Sequence, residues 1–301
     1  MTALDSRPIG VFDSGYGGLT VLREIRKRLP GERFIYVGDT ARIPYGPKSP
    51  EVIRRFALEI GIYLEQSGVK AIVVACNTAS SFGLAELSRR LAPPVVGVVN
   101  PGARVAVRCS KRKRIGVIGT RGTISSSAYQ NAILAVDPAA KVAAVSTPLL
   151  VPLVEEGFTS GKILECVLDL SLPRLIEEEI DVLVLGCTHY PLLRESIAEY
   201  LAAKGRPDIV IVDSAEAAAE ELARIVKDRG GSERAEEGLR EREEVGEERR
   251  GEEGRGNGIF YATDDPARFA LLGEKFLGER IPAVQHLPLE ILAEGAARRF
   301  L

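Results

Sequence analysis

Val73-Val74-Ala75-Cys76-Asn77-Thr78-Ala79-Ser80 is an apolar, β-branched run that stops at a thiol, an amide and a hydroxyl. The apolar part, 71–75, is short and reads as a buried strand; the small polar residues read as the loop where the chain leaves the sheet. Ligands of open α/β sheets bind outside the carboxyl ends of strands, so Cys76 stands where chemistry is expected. A second copy follows at Asp181-Val182-Leu183-Val184-Leu185-Gly186-Cys187-Thr188-His189-Tyr190-Pro191. It too is an apolar strand ending in a thiol and a hydroxyl. Two cysteines in matching positions suggest two equivalent reactive groups facing one substrate.

Upstream of Cys76, a strand at 9–12 runs into Asp13-Ser14-Gly15-Tyr16-Gly17-Gly18 and then a helical pattern over 19–29. The glycines are not spaced as G-x-G-x-x-G, and Asp13 would repel a phosphate at that helix N-terminus, so a dinucleotide site is not expected. A strand at 33–38 leads into a polar loop, and Ser49 caps a helix that begins at Pro50 and ends near 67. Beyond Cys76 the pattern gives a helix to about 91, a strand at 95–99 and a turn at Asn100-Pro101-Gly102. Strand and helix in alternation are the signature of a mainly parallel sheet.

The pattern restarts at 114. Ile115-Gly116-Val117-Ile118-Gly119-Thr120 echoes Ile9-Gly10-Val11-Phe12-Asp13-Ser14, 106 residues away, and Cys187 lies 111 residues after Cys76. Two landmarks with nearly one offset predict two similar α/β domains. The second unit holds strands at 141–145, 182–185 and 209–212. Between them lie a proline-punctuated apolar segment ending at Glu155-Glu156, and a helix over 162–179 that Pro173 kinks or breaks. After Asp213-Ser214 and a helix to about 227, residues 229–256 change in kind. They hold ten Glu, seven Arg and seven Gly, cannot bury a core, and read as a disordered surface insertion. Folding resumes with a strand at 259–263, a helix from Pro266 to about 277 and a last strand at 284–287. The expected division is 1–101 with 213–301 as one domain and 102–212 as the other.

A length of 301 residues with 45% hydrophobic content fits two soluble globular domains. A net charge of -2 argues against a nucleic-acid footprint. The one dense basic cluster, Lys111-Arg112-Lys113-Arg114, reads as a solvated inter-domain turn. The four cysteines form no C-x-x-C pair, no secretory signal precedes Ile9, and no apolar run is long enough to span a bilayer. A reducing cytoplasmic compartment is therefore expected, with cysteines kept as thiols.

One thiolate can take a proton from a carbon while a facing thiol returns one to the other side. Such acid–base partners are worth about 10²–10⁴ in rate and invert a stereocentre without a cofactor. Backbone amides at a strand-to-helix turn favour the thiolate. Small buried cysteines often merely pack, but two at matched strand ends, each followed by polar side chains, weigh against that. Cys109 and Cys166 lack such a setting and read as structural, as does His286.

Gly10-Val11-Phe12-Asp13-Ser14-Gly15, Val37-Gly38-Asp39-Thr40 with Pro44-Tyr45-Gly46, Ala75-Cys76-Asn77-Thr78-Ala79, Val151-Pro152-Leu153-Val154-Glu155 and Gly186-Cys187-Thr188-His189-Tyr190-Pro191 occur in that order. On these motifs the chain resembles bacterial glutamate racemases of the aspartate/glutamate racemase superfamily, from Ile9 to Leu292. Residues 229–256 depart from the family pattern. The resemblance implies two pseudo-symmetric parallel-sheet sandwich domains with the active site in the cleft between them. It implies an enzyme that interconverts L- and D-glutamate without cofactor or metal and supplies D-glutamate for peptidoglycan. Its expected partners are the small-molecule substrate and a second copy in a homodimer, with no membrane or nucleic acid. Cys76 would deprotonate D-glutamate and Cys187 L-glutamate, with Asp13 assisting near Cys76, and Glu155 and His189 near Cys187. Asp13, Ser14, Pro44, Tyr45, Gly46, Asn77, Thr78, Thr188 and His189 match the family's substrate contacts, and Thr120 and Thr123 add hydroxyls. The sequence fixes no role for Asp39, Arg42 or Asp213. Three alternatives stay open: an aspartate or hydantoin racemase, a hydrolase with zinc on Cys76, Cys187 and His189, and a binding module acting through the charged segment. The Asn77-Thr78 and Thr188-His189 pairs favour glutamate, and the spacing for zinc is poor.

Overall fold

The computed structural model describes residues 5–228 and 258–300, so the expected disorder of 229–256 lies outside the described residues. Within the described residues the strands form two sheets, and every pairing is parallel. The larger sheet contains β1 (Ile9–Asp13), β2 (Phe34–Gly38), β3 (Ala71–Val74), β4 (Val95–Gly97), β9 (Gly258–Ala262) and β10 (Val284–His286), in the order β10-β9-β2-β1-β3-β4. The smaller contains β5 (Arg114–Gly119), β6 (Lys141–Ser146), β7 (Val182–Gly186) and β8 (Val210–Asp213), in the order β6-β5-β7-β8. Each sheet thus contains the same run, second-first-third-fourth, and the repeat read from the two cysteine stretches is a repeat of topology. β1, β2, β3 and β7 are buried at every residue. Their unbroken apolar runs are what a parallel strand covered on both faces requires.

The two halves share one core. α1 (Leu19–Arg28) of the first half packs on α11 (Ser214–Asp228), the helix that carries the chain back from the second. Val11, Leu22, Leu185, Ile197, Leu222 and Phe269 belong to one continuous apolar cluster across that joint. Each sheet also covers its far face: the larger with α2 (Pro50–Gln66) and α3 (Asn77–Arg90), the smaller with α4 (Val99–Cys109) and α6 (Ala128–Val136).

Some boundaries differ from expectation. Asn100-Pro101-Gly102 is not a turn but the first part of α4, and β4 ends at Gly97. Pro101 is tolerated there because first-turn N–H groups have no helical acceptor to lose. The helix expected over 162–179 is two, α8 (Lys162–Asp169) and α9 (Leu172–Glu177), with Pro173 in the first turn of the second. The segment before Glu155 forms α7 (Leu150–Glu155). The basic cluster is an ordered lead from α4 into β5, where the Asp181 carboxylate accepts from Ser110 Oγ and the Arg112 amide, each at 2.6 Å. α12 (Pro266–Leu277) starts as expected, capped by Asp265 on the Arg268 amide at 2.9 Å. α13 (Leu289–Phe300), which packs on α2, is an addition.

Candidate active site

Residues just past β3 and just past β7 line one cavity of about 320 Å³. Cys76 and Cys187, both buried and both free thiols, line it together. Ser14, Asn77 and Thr78 join them from the first half. Thr120, Glu155, Thr188 and His189 come from the second. Pro44, Tyr45 and Gly46 form another wall. Asp13 and Thr123 do not line it; both are fully buried just behind it. Thr123 reaches the wall through hydroxyls, since Thr78 Oγ1 lies 2.8 Å from Thr120 Oγ1 and 3.1 Å from Thr123 Oγ1. That triangle ties the N-terminus of α3 to α5 (Arg121–Ser125) across the two halves. The Gly122 amide donating to the Gly46 carbonyl at 2.9 Å is a second tie.

Cys76 caps α3, its sulfur accepting from the Ala79 amide at 3.4 Å, and its thiol faces Ser14 Oγ at 3.6 Å. The expectation that helix amides would favour the thiolate fails for Cys76. Burial, with the negative charge of Asp13 next, pushes this thiol up to about 12, and the Ala79 amide offsets only part of that. Asp13 has a raised pKa because it is wholly buried, although the field of His189 and the amides of Gly18, Gly15 and Ser14 oppose the rise. One oxygen accepts from the Gly15 amide at 2.9 Å and the other has no partner.

The Cys187 side is built differently. His189 Nδ1 lies 3.9 Å from Cys187 Sγ, and its Nε2 is 3.0 Å from Glu155 Oε1. Burial alone would discharge this imidazole, but the hydrogen bonds to Cys187 and Glu155 outweigh it and hold its pKa at about 10. The ring is wedged edge-on against Phe276 of α12, centroid to centroid 5.0 Å. Thr20 Oγ1 of α1 donates to the Thr188 carbonyl at 3.0 Å, so the first half grips the second cysteine loop. Cys187 and its neighbours therefore form a thiol–imidazole–carboxylate chain, whereas the Cys76 sulfur meets a serine hydroxyl and a helix amide, with the Asp13 carboxyl as its acid.

Two further groups stand out. Asp39, fully buried, accepts from Arg42 Nε at 2.7 Å, from Thr263 Oγ1 at 3.0 Å and from the Tyr45 hydroxyl. It anchors the loop that presents Tyr45 and Gly46, a role that Val37-Gly38-Asp39-Thr40 did not disclose because Thr263 is so distant in sequence. Arg121 is the only Lys or Arg lining the cavity among the described residues. Its signal was available: a cation directly after Thr120 at a helix start.

The arrangement can hold a small anionic molecule within reach of both thiols. Hydroxyls, the Arg121 cation and the N-terminus of α3 favour carboxylates.

Known proteins share this architecture. The family model for Asp/Glu/Hydantoin racemase matches residues 9–222. A glutamate racemase of Geobacter metallireducens is 46% identical over 284 residues, which cover 94% of this chain and 97% of that protein. The solved glutamate racemase isoform RacE1 of Bacillus anthracis superposes with a TM-score of 0.82 at 38% identity, covering 94% of this chain and 98% of its own. The glutamate racemase of Francisella tularensis, solved in complex with D-glutamate, gives a TM-score of 0.81 at 35% identity over 95% of this chain and 99% of its own.

Proposed function

The chain belongs to the Asp/Glu/Hydantoin racemase family and catalyses the racemisation of glutamate, and from that premise we propose that Cys76 and Cys187 are its two acid–base groups. One observation carries this: two thiols 111 residues apart, on two different sheets, line one small cavity.

With D-glutamate, the Cys76 thiolate takes the α-proton and the bond's electron pair stays on a flattening α-carbon, delocalised into the α-carboxylate. The Cys187 thiol then gives its proton to the opposite face, leaving L-glutamate, a Cys76 thiol and a Cys187 thiolate. The L-to-D direction runs the same steps backwards. Because burial, and after it the charge of Asp13, keeps the Cys76 thiol protonated at rest, the arriving substrate ammonium has a specific task. Its positive charge offsets Asp13 and allows Cys76 to ionise only when a substrate is present. On the other side, His189 and Glu155 exchange the Cys187 proton. Ser14, Pro44, Tyr45, Gly46, Asn77, Thr78, Thr120, Thr123 and Thr188 shape and line the site for glutamate's two carboxylates and its ammonium. No cofactor or metal enters any step. The physiological part of this reading is D-glutamate supply for peptidoglycan by a cytoplasmic homodimer.

Cys76→Ala and Cys187→Ala are each expected to lose racemisation by about 10² or more, read by circular dichroism with each enantiomer. Full racemisation by both variants would sink the two-thiol mechanism, and faster turnover of aspartate than of glutamate would overturn the substrate.

A further inference from the structure

Tyr129 lies outside the cavity lining, on α6 of the second half, yet it touches both catalytic loops. The side chain is fully buried. Its hydroxyl donates to Asn77 Oδ1, one residue after Cys76, at 2.7 Å. Its ring supports the other loop, since a Cβ on Gly186, one residue before Cys187, would stand 3.1 Å from Tyr129 Cε2. Ser214, where the chain crosses back to the first half, packs beside the same ring: a Cβ on Gly102 would stand 3.2 Å from Ser214 Cβ and 3.4 Å from Tyr129 Cε1.

Asn77 lines the cavity, but its Nδ2 is buried and has no hydrogen-bond partner in the protein. An unmatched buried donor costs about 1–3 kcal/mol, so the group calls for an acceptor that the protein's own side chains do not supply. An amide can turn over and present either end. Turned one way it offers N–H groups, which suit a carboxylate; turned the other it offers an oxygen, which repels one. Burial holds the Tyr129 phenol protonated well above the ordinary tyrosine range, so it remains a donor and selects the oxygen end for itself.

We infer that Tyr129 is a positioning residue: by holding Asn77 Oδ1 it reserves the Asn77 Nδ2 donors for a carboxylate of glutamate, and it couples that orientation to the joint between the two halves. The inference rests on the proposed reading of the cavity as the glutamate site.

The test is a double-mutant cycle of Tyr129→Phe and Asn77→Ala, with KM and kcat measured for both enantiomers and the melting temperature recorded for each chain. Tyr129→Phe keeps the ring under Gly186 and removes only the hydroxyl. It is expected to raise KM about tenfold, the worth of one buried hydrogen bond, with a much smaller change in kcat. In the Asn77→Ala background the same substitution is expected to change KM by less than about twofold. An unchanged KM in the single variant, or an equal rise in both backgrounds as a merely structural side chain would give, overturns the inference. Asn77→Asp gives a second arm that leaves Tyr129 in place should Tyr129→Phe not fold. It keeps an oxygen acceptor for the phenol and removes the Nδ2 donors, and is expected to raise KM at least about tenfold; no rise overturns the inference. Failure of the underlying reading looks different: Cys76→Ala and Cys187→Ala would both keep full activity, whatever Tyr129 does.

Discussion

Gly17→Ala adds one methyl group where the first half meets the second cysteine loop. A Cβ at Gly17 would stand 2.2 Å from Thr188 Oγ1, 2.5 Å from His189 Nδ1 and 2.7 Å from His189 Cε1. Ordinary carbon contacts begin near 3.5 Å, so the second cysteine loop must retreat by about 1 Å. It has no free direction. Thr20 holds the Thr188 carbonyl at 3.0 Å, Phe276 backs the imidazole, and Glu155 holds Nε2 at 3.0 Å. The displacement therefore falls on the His189–Cys187 pair. Misplacing a catalytic group by about 1 Å costs on the order of 10² in rate, and overpacking costs about 1–3 kcal/mol of stability. The assay is kcat/KM from circular dichroism in both directions. The enantiomers have equal free energy in water, so kcat/KM must fall equally both ways. The side at fault is read instead from α-proton exchange in D₂O without inversion, which should fall more for L-glutamate, the enantiomer handled by Cys187. A Gly17→Ala enzyme within about threefold of wild-type kcat/KM, with an unchanged melting temperature, would refute the claim that this close approach fixes His189.

Two other groups give pH-dependent outcomes. Burial, and after it the charges of Glu216 and Glu24, raises Asp213 from 3.8 to about 6. A carboxyl raised in the fold stabilises it below about 3.8 and loses that contribution as pH rises through about 6. Asp213→Asn keeps an acceptor for the Ala215 amide and should stabilise the protein by about 2–3 kcal/mol at pH 7, shrinking toward zero near pH 4 in urea melts; equal stabilities at pH 7 would contradict it. His189, raised to about 10, stabilises the fold fully below 6.5 and loses that contribution as pH rises toward 10. Glu155→Gln removes one of its partners, so the His189 titration followed by NMR should move down. With only two histidines in the chain its signals are readily told from those of His286, and an unmoved titration would break the thiol–imidazole–carboxylate chain.

Where the sequence was informative, the reason is periodicity. A parallel strand buried on both faces must be an unbroken apolar run, and its end is marked by the first polar side chains. That made 71–76 and 181–187 readable as strands ending in thiols, and the near-equal offset exposed the repeat that the two sheets display. The other cleft residues were named only through the resemblance of the five quoted motifs to a known family; periodicity does not single out Glu155, which ends α7, or Tyr45, which lies in a loop. What could not be read depends on contacts distant along the chain. The Cys76 thiol rises because of how deeply the finished fold buries it beside Asp13, whereas its local setting at a helix start points the other way. Asp39 acquires its role only through Thr263. Tyr129 looks like any apolar-face helix residue until its hydroxyl meets Asn77. Pro101 was misread because a proline marks a helix start as readily as a turn.

The order of strands in the larger sheet also has a consequence for how the protein is made. β1 to β4 are synthesised first, but their sheet is completed by β9 and β10, after the whole of the smaller sheet has been made. A chain leaving the ribosome can form the smaller sheet while the larger one still lacks two strands and Asp39 still lacks Thr263. A nascent chain cut short before residue 258 carries both thiols without Thr263, the brace that through Asp39 holds the Tyr45 wall of their cavity.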